Sequence, residues 1–227
     1  MSISRRIAVL GGTGAEGGGL ALRWAHAGHD VIIGSREAGR AVEAAARLST
    51  AATRQLRGLG NADAAAAAEI IVLAVPFAAQ RPTALALRSE LAGKILVDVT
   101  VPLVPPKVSR VQLPQGGSAV NALQAELGSE VRVVSAFQNV SAHQLGELQH
   151  EVECDVLVCG DDPQARQVAI DLAADAGMRG LHAGPLANSA AAEALTSVLI
   201  ALNRHYKVPA TGIRITGLPG ASGREVS

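Results

Sequence analysis

Residues 7–17 read Ile-Ala-Val-Leu-Gly-Gly-Thr-Gly-Ala-Glu-Gly, an apolar run that leads directly into closely spaced glycines. Gly12, Gly14 and Gly17 match the spacing G-x-G-x-x-G. A helix-length segment follows and then a second apolar run at 31–34, which makes a strand, helix and strand within about thirty residues. This stretch predicts a doubly wound fold that binds a dinucleotide. A purely structural glycine turn is the alternative.

Each part of the motif has an expected role. Gly12 permits the tight turn, Gly14 lets the backbone approach a diphosphate, and Gly17 lets the helix pack closely on the strand. The backbone N–H groups of Thr13, Gly14, Ala15 and Glu16, aimed by the helix dipole, are expected to hold the diphosphate.

The end of the second strand predicts which dinucleotide binds. NAD-binding folds place Asp or Glu there to bind the ribose diol, whereas this chain has Ser35 and Arg36. Asp30 precedes the strand, at its other end, and Glu37 follows the arginine. Arg36 and Arg40 can pair with a 2′-phosphate and Ser35 can donate its hydroxyl, which favours NADP over NAD. The alternative is that Arg36 and Arg40 are ordinary exposed surface residues that bind no phosphate.

The rest of the chain alternates β-branched runs with alanine-rich segments. Strands are predicted at 7–10, 31–34, 70–75, 95–99, 131–135, 155–159, 180–182 and 213–216. Helices are predicted at about 15–28, 37–54, 77–91, 117–128, 163–176 and 188–206. This order predicts an α/β fold with a doubly wound, mostly parallel sheet. We expect an NADP-binding Rossmann domain at 1–140 and a small C-terminal α/β part at 141–227, with a soft boundary.

Composition excludes several classes of function. The 227 residues contain 20 Lys plus Arg and 20 Asp plus Glu, so no net charge favours nucleic acid or an anionic membrane. The six histidines lack the spacing of metal ligands, so no metal is expected. No charge-free apolar stretch approaches the ~18 residues that span a bilayer, which predicts a soluble, cytoplasmic protein without a membrane part.

Three strand ends are candidates for the rest of the site, because such ends converge on one crevice in a doubly wound sheet. They are Val75-Pro76-Phe77, the proline-rich loop 100–115, and Phe137-Gln138-Asn139. An aromatic side chain at such a strand end can pack against the flat ring of a ligand, although a role in filling the hydrophobic core explains its presence equally well. Asn188 and Ser189 are candidate binding residues, and capping of the following helix explains them equally well.

No acid or base is evident at these strand ends, and no catalytic residue is predicted. Reduction of a simple carbonyl needs a proton donor. An acceptor that delocalises charge over a ring system needs only stacking and orientation. The site is therefore expected to take a ring-shaped hydride acceptor.

Taken together, the sequence resembles the NADPH-dependent coenzyme F420 reductases, also called F420H2:NADP oxidoreductases. The matching segments are 10–14 with Gly17, 34–36, 75–77, 102–105, 134–136, 159–162, 183–186 and 188–189. The resemblance implies hydride transfer between NADP and the 5-deazaflavin F420. It assigns Thr13 to Glu16, Ser35, Arg36 and Arg40 to NADP, with Phe77, Pro106 and Ala142 near the nicotinamide. Archaeal members tend to have His-Thr where this chain has Gln138-Asn139.

Two other functions stay open at this stage. One is an NADPH-dependent flavin or ferric-chelate reductase that uses the same pocket, and the other is a non-catalytic NADP-binding or sensing protein. The expected partners are a small-molecule co-substrate and a second copy of the chain. The apolar segment 190–202 is a candidate dimer face, and the family is commonly dimeric.

Overall fold

In the computed structural model, residues 3–218 are described, and they form alternating strands and helices. The strands are β1 (Arg6–Leu10), β2 (Asp30–Ser35), β3 (Arg57–Gly60), β4 (Ile70–Leu73), β5 (Ile95–Asp98), β6 (Arg132–Ser135), β7 (Asp155–Gly160) and β8 (Arg179–His182). The helices are α1 (Ala15–His26), α2 (Ala38–Ser49), α3 (Asn61–Ala67), α4 (Phe77–Ala86), α5 (Arg88–Leu91), α6 (Ala119–Leu127), α7 (Ala142–Leu145), α8 (Pro163–Asp175) and α9 (Ser189–Tyr206). A 3-10 turn, Leu186–Asn188, precedes α9.

The strands of the described part form one sheet in the order β3-β2-β1-β4-β5-β6-β7-β8. Neighbouring strands are parallel except β6 and β7, which pair antiparallel. From β1 the chain builds outward through β2 and β3, and then returns to β4 on the other side of β1. The topological switch point therefore lies between β1 and β4, where such sheets bind ligands. The predicted α/β, mostly parallel, doubly wound sheet is confirmed.

The sheet and its core continue across the predicted boundary at residue 140. β6 and β7 pair across it, with Ser135 opposite Cys159. On one face of the sheet, the indole Nε1 of Trp24 in α1 donates to the carbonyl of Leu172 in α8 at 2.8 Å. The position of a domain boundary near residue 140 stays a prediction.

The predicted strand at 213–216 is wrong. This segment has no strand conformation, although the carbonyl of Ile213 accepts from the N–H of Asp155 at 2.8 Å. The next available donor, Ile215 N–H, binds the carboxylate of Asp155 at 2.6 Å rather than a backbone carbonyl. The side chain of Asp155 thus takes the place of a backbone partner, so the segment does not pair as a strand and only lies along the start of β7.

Other elements differ from the prediction in extent. β3 was not predicted, and α3 follows it directly. Two of the four residues of β3 are glycine, and a Cβ at Gly58 would lie 2.3 Å from the backbone of Ala41 in α2. The predicted helix at 77–91 divides at Leu87 into α4 and α5.

α9 packs on the body of the protein through a buried carboxylate. Glu193 is 1% exposed, and it accepts hydrogen bonds from the hydroxyl of Ser118 and from the N–H groups of Ala119 and Val120 at the start of α6. Within residues 3–218, one helix, Leu186–Tyr206, is long and apolar enough to cross a membrane, and 33% of its most apolar 18-residue stretch is buried. The buried contacts of Glu193 attach this helix to α6.

Candidate functional site

The glycine-rich loop joins β1 to α1 at the switch point of the sheet. The N-cap of α1 is Gly14, and no side chain caps the helix. The first backbone N–H groups of a helix have no partner within it and carry the positive end of its dipole. The loop is therefore built to hold an anion at the start of α1.

The glycines of this loop have separable roles. The residue with left-handed geometry is Gly11, at φ +86°, which directly precedes Gly12 in the turn, and a Cβ at Gly11 would meet the carbonyl of Ala74 at 2.3 Å. The predicted close packing at Gly17 is confirmed, since a Cβ would lie 2.8 Å from the carbonyl of Gly11. A Cβ at Gly14 would meet only one protein atom, the carbonyl oxygen of Gly11 at 3.4 Å, so packing within the protein does not require a glycine there. The predicted close approach of a diphosphate at Gly14 stays a prediction.

A cavity of about 480 Å³ opens beside this loop at the carboxyl ends of the parallel strands. Eight predicted site residues line it: Gly14, Ala15, Glu16, Gly17, Val75, Pro76, Phe77 and Gln138. The other lining residues are Ala74, Thr100, Val101, Leu103, Pro105, Val108, Val140 and Thr196. The proline-rich loop is thus one wall of the cavity, and α9 contributes to another.

A second cavity, of about 540 Å³, lies on the side of β2 and β3. Arg36 lines it together with Asn61, Pro82 and Thr83. The side-chain oxygen of Asn61 is buried close to Gly34 and has no hydrogen-bond partner in the described part of the chain. The first cavity is lined by the glycine-rich loop and the second by Arg36 at the end of β2, and α4 contributes residues to both.

The predicted 2′-phosphate residues lie together at the end of β2. Ser35 accepts from the N–H of Glu37 at 3.3 Å, and Arg40 lies 3.5 Å from Glu37 in a pair whose side chains are 68% exposed. Asp30 lies at the opposite end of β2, as predicted, where it binds Arg6 at 2.8 Å. No carboxylate from β2 itself therefore reaches the ribose position.

Four predicted substrate or wall residues lie outside the lining of the cavity. Phe137 is fully buried and packs edge to face on Trp24 at 5.8 Å, so it fills the core and walls no ring. Asn139 is also buried and donates to the carbonyl of Asp155 at 2.7 Å. Asn188 donates to the carbonyl of Ala183 at 2.8 Å, and the buried hydroxyl of Ser189 bonds that of Ser118. These contacts are structural.

Pro106 and Ala142 do not line the cavity, although each lies within two residues of a lining residue in the sequence. Pro106 is exposed and follows Pro105, which is in the lining. Ala142 begins α7, two residues beyond the lining residue Val140. Both could reach only a ligand that extends out of the cavity.

Gln138 is held at the floor of the cavity by its neighbours. Its Nε2 donates to the carbonyl of Asp98 at 2.7 Å, and its own carbonyl accepts from the hydroxyl of Thr196 at 2.6 Å. Its side-chain oxygen is buried and has no hydrogen-bond partner among residues 3–218. An unpaired buried acceptor of this kind costs stability.

Two carboxyl groups beside the cavity were missed as chemical groups by the sequence analysis. Burial and, second, the nearby charge of Asp98 together raise the pKa of Glu16 to about 8. Burial raises the pKa of Asp98 to about 6 against the hydrogen bonds from Thr100 and Gln80, which favour its charged form. The glycine motif predicts a role for the backbone of Glu16 alone, although a carboxyl so close to a predicted diphosphate is itself a signal.

The described part of the chain brings together no group of three His, Cys, Asp or Glu side chains that could hold a metal ion. The cavity instead has apolar walls, an anion-binding helix start and a few polar groups. This combination suits an organic ring joined to a diphosphate.

Comparison with known proteins agrees with this geometry. Residues 6–102 match the family model of coenzyme F420-dependent NADP oxidoreductases. An F420-dependent NADP reductase of Methanocaldococcus jannaschii is 43% identical over 222 residues, which cover 94% of this chain and 99% of the relative. An enzyme of the same name from Methanothermobacter thermautotrophicus is 42% identical, with 94% and 96% covered.

A solved structure extends the agreement to the fold. A crystal structure of a candidate F420-dependent NADP reductase from Arthrobacter sp. FB24 aligns with a TM-score of 0.77 at 29% identity, covering 94% of this chain and 100% of that one. The sequence matches span nearly the full length of both partners, including the parts that build both cavities. The protein therefore belongs to the family of F420-dependent NADP reductases.

Proposed function

We propose that this protein transfers a hydride between NADP(H) and coenzyme F420. The observation that carries the proposal is the cavity that begins at the anion-binding start of α1 and continues between apolar walls at the switch point. Relatives that match nearly the whole chain are named for this reaction. Two flat rings stacked in such a cavity exclude water and hold the donor and acceptor carbons together.

NADP lies along the glycine-rich loop. The N–H groups of Thr13 to Glu16 hold the diphosphate, and Arg36, with Ser35 and Arg40, binds the 2′-phosphate. Releasing Arg40 from Glu37 to bind the phosphate costs little free energy, because this exposed ion pair contributes at most about 1 kcal/mol. The preference for NADP follows from an exposed guanidinium at the place where NAD-binding folds have a carboxylate.

The nicotinamide and the deazaflavin occupy the cavity of about 480 Å³. Val75, Pro76 and Phe77 border the rings, and the free oxygen of Gln138 accepts a hydrogen bond from one of them. Pro106 and Ala142 contact the part of the ligand nearest the cavity mouth. Phe137, Asn139, Asn188 and Ser189 support these groups from outside the lining.

The enzyme acts as a soluble, cytoplasmic homodimer in this proposal. α9 supports the dimer, since Val198, Leu202 and Tyr206 lie four residues apart on one helix face and are 45%, 38% and 66% exposed. Such a stripe is a candidate for contact with a second copy of the chain.

The direct test mixes the purified protein with NADPH and F420 and follows the loss of deazaflavin absorbance. We expect NADPH-dependent loss with matching formation of NADP. FMN and a ferric chelate serve as parallel acceptors. Faster reduction of either acceptor would replace the proposal by a flavin or ferric-chelate reductase. Tight NADP binding without turnover on any acceptor would indicate a sensing protein.

A further inference from the structure

Glu16 is the one ionisable side chain among the described residues that line the cavity. It lies in the first turn of α1 and is partly exposed to the cavity. The other walls, from the start of α4, the proline-rich loop, the end of β6 and α9, contribute no charged side chain. Among the side chains that line the cavity, Glu16 is therefore the one that can give or take a proton near neutral pH.

The surroundings of Glu16 keep its carboxyl protonated near neutral pH. Burial and then the charge of Asp98 on β5 raise the pKa of Glu16 to about 8. Behind Asp98, the buried Glu193 of α9 raises the pKa of Asp98 in turn. The dipole of α1 favours a charged Glu16, but its effect amounts to less than about one pKa unit at a helix start.

The reaction needs a proton as well as a hydride. A hydride that adds to a neutral deazaflavin leaves a negative charge on its pyrimidine ring, and the neutral reduced cofactor forms only when one proton is added. The nicotinamide meanwhile changes from neutral to positive. A group that loses a proton as this cation forms leaves opposite charges in one low-dielectric cavity, which attract each other.

We propose that Glu16 supplies the proton that accompanies the hydride, an inference that rests on the proposed function. The C4–H bond of the nicotinamide breaks, and its electron pair and hydrogen form a new C–H bond on the central deazaflavin ring. The O–H bond of Glu16 breaks, and its proton forms an N–H bond on the pyrimidine ring. The carboxylate then faces the nicotinamide cation, and in the reverse direction it takes the proton back.

The test compares the wild type with Glu16→Gln in single turnovers of NADPH with F420 from pH 6 to pH 9, in water and in deuterium oxide. The wild-type rate should fall as pH rises through about 8 and show a solvent isotope effect. The amide cannot donate a carboxyl proton, so Glu16→Gln should be about 100-fold slower at pH 7. Its rate should show neither the fall with rising pH nor the solvent isotope effect. Its affinity for NADPH should change by less than about threefold, because the backbone N–H groups remain.

Controls separate this inference from the proposed function. Glu43→Gln, the same change on the exposed face of α2, should behave as the wild type, and Glu16→Asp should retain a pH-dependent rate. A Glu16→Gln enzyme that keeps the wild-type rate, or is slower with the wild-type pH profile and isotope effect, overturns the inference alone. A wild type that does not reduce F420 overturns the proposed function.

A second measurement addresses Glu16 without catalysis. The pKa of Glu16 is raised in the folded state, so the stability it contributes is complete at low pH and is lost as pH rises through about 8. Glu16→Gln has no such loss, so its melting temperature relative to the wild type should increase between pH 5 and pH 9. A constant difference would contradict a proton held by Glu16.

Discussion

At the scale of single residues, the choice of cofactor depends on what stands at the end of β2. Ser35 ends the strand and Arg36 follows it, exposed beside the cavity of about 540 Å³. A guanidinium binds a phosphate through paired hydrogen bonds between charged groups, and it offers no acceptor to a ribose diol. In the proposed site, Arg36 therefore makes the main contribution to the discrimination between the two cofactors, with Ser35 and Arg40 beside it.

Arg36→Glu should reduce affinity for NADPH by about 100-fold, because it removes a charged hydrogen-bond donor and adds repulsion. Affinity for NADH should change by less than about threefold. Fluorescence titration of the reduced cofactors measures both. Arg47→Glu, exposed in the last turn of α2, is the control and should leave both affinities unchanged. Equal losses for the two cofactors in Arg36→Glu would contradict the 2′-phosphate assignment.

The sequence predicts the local placement of residues better than their distant contacts. Gly14, Gly17 and Arg36 lie beside the two cavities, because each position is fixed within a few residues of its own strand end. Their contacts with NADP stay a prediction. Phe137 follows a strand end as Phe77 does, yet only Phe77 lines the cavity. Phe137 has a left-handed backbone, φ +74°, and its ring meets Trp24, 113 positions earlier in the chain. Nothing near residue 137 in the sequence predicts that contact.

At the scale of elements, one buried arginine orders a long irregular segment. Arg23 of α1 is 6% exposed, and its guanidinium donates to the carbonyls of Gln144, Leu145, Glu147 and His150 and to that of Ala176. Burial lowers the pKa of Arg23, and none of these contacts is with a carboxylate that would oppose the shift. The segment that follows β6 is thus held by a side chain of another helix, and its polar sequence gives no periodic signal.

Arg23→Met should destabilise the protein by about 3 kcal/mol or more, because five carbonyls lose their buried donor while the apolar stem is kept. Urea unfolding followed by circular dichroism measures the change in the free energy of unfolding. Arg47→Met removes a guanidinium from the exposed face of α2 and should stay within about 0.5 kcal/mol of the wild type. A similarly small effect at Arg23 would show that the segment is held by other contacts.

At the scale of the whole molecule, α9 connects the cavity to the surface. Thr196 lines the cavity and binds Gln138, while Val198, Leu202 and Tyr206 face outward. The proline-rich loop lies against the same helix, through Ser197 to the carbonyl of Arg110 and through Arg204 to Ser109. A partner on the outer face would therefore cover elements that also form the cavity walls.

Leu202→Glu should convert the proposed dimer to a monomer, because it places a charge in the middle of the apolar stripe. Sedimentation velocity of the full-length protein at several concentrations measures the change. Val42→Glu, at a position that is 54% exposed on α2, is the matched control and should not alter the sedimentation. A wild type that sediments as a monomer at all concentrations would contradict the dimer itself.

Because aromatic residues are scarce, the intrinsic fluorescence of the protein can be used to follow binding of NADPH. Trp24 is the single tryptophan, fully buried on α1. It follows Glu16 by eight positions, about 12 Å along the helix axis. Its emission should be blue-shifted in the native protein, and its band overlaps the absorption of a reduced nicotinamide held at the start of α1. Binding of NADPH should therefore quench a single, unambiguous emitter, which permits a titration without any label.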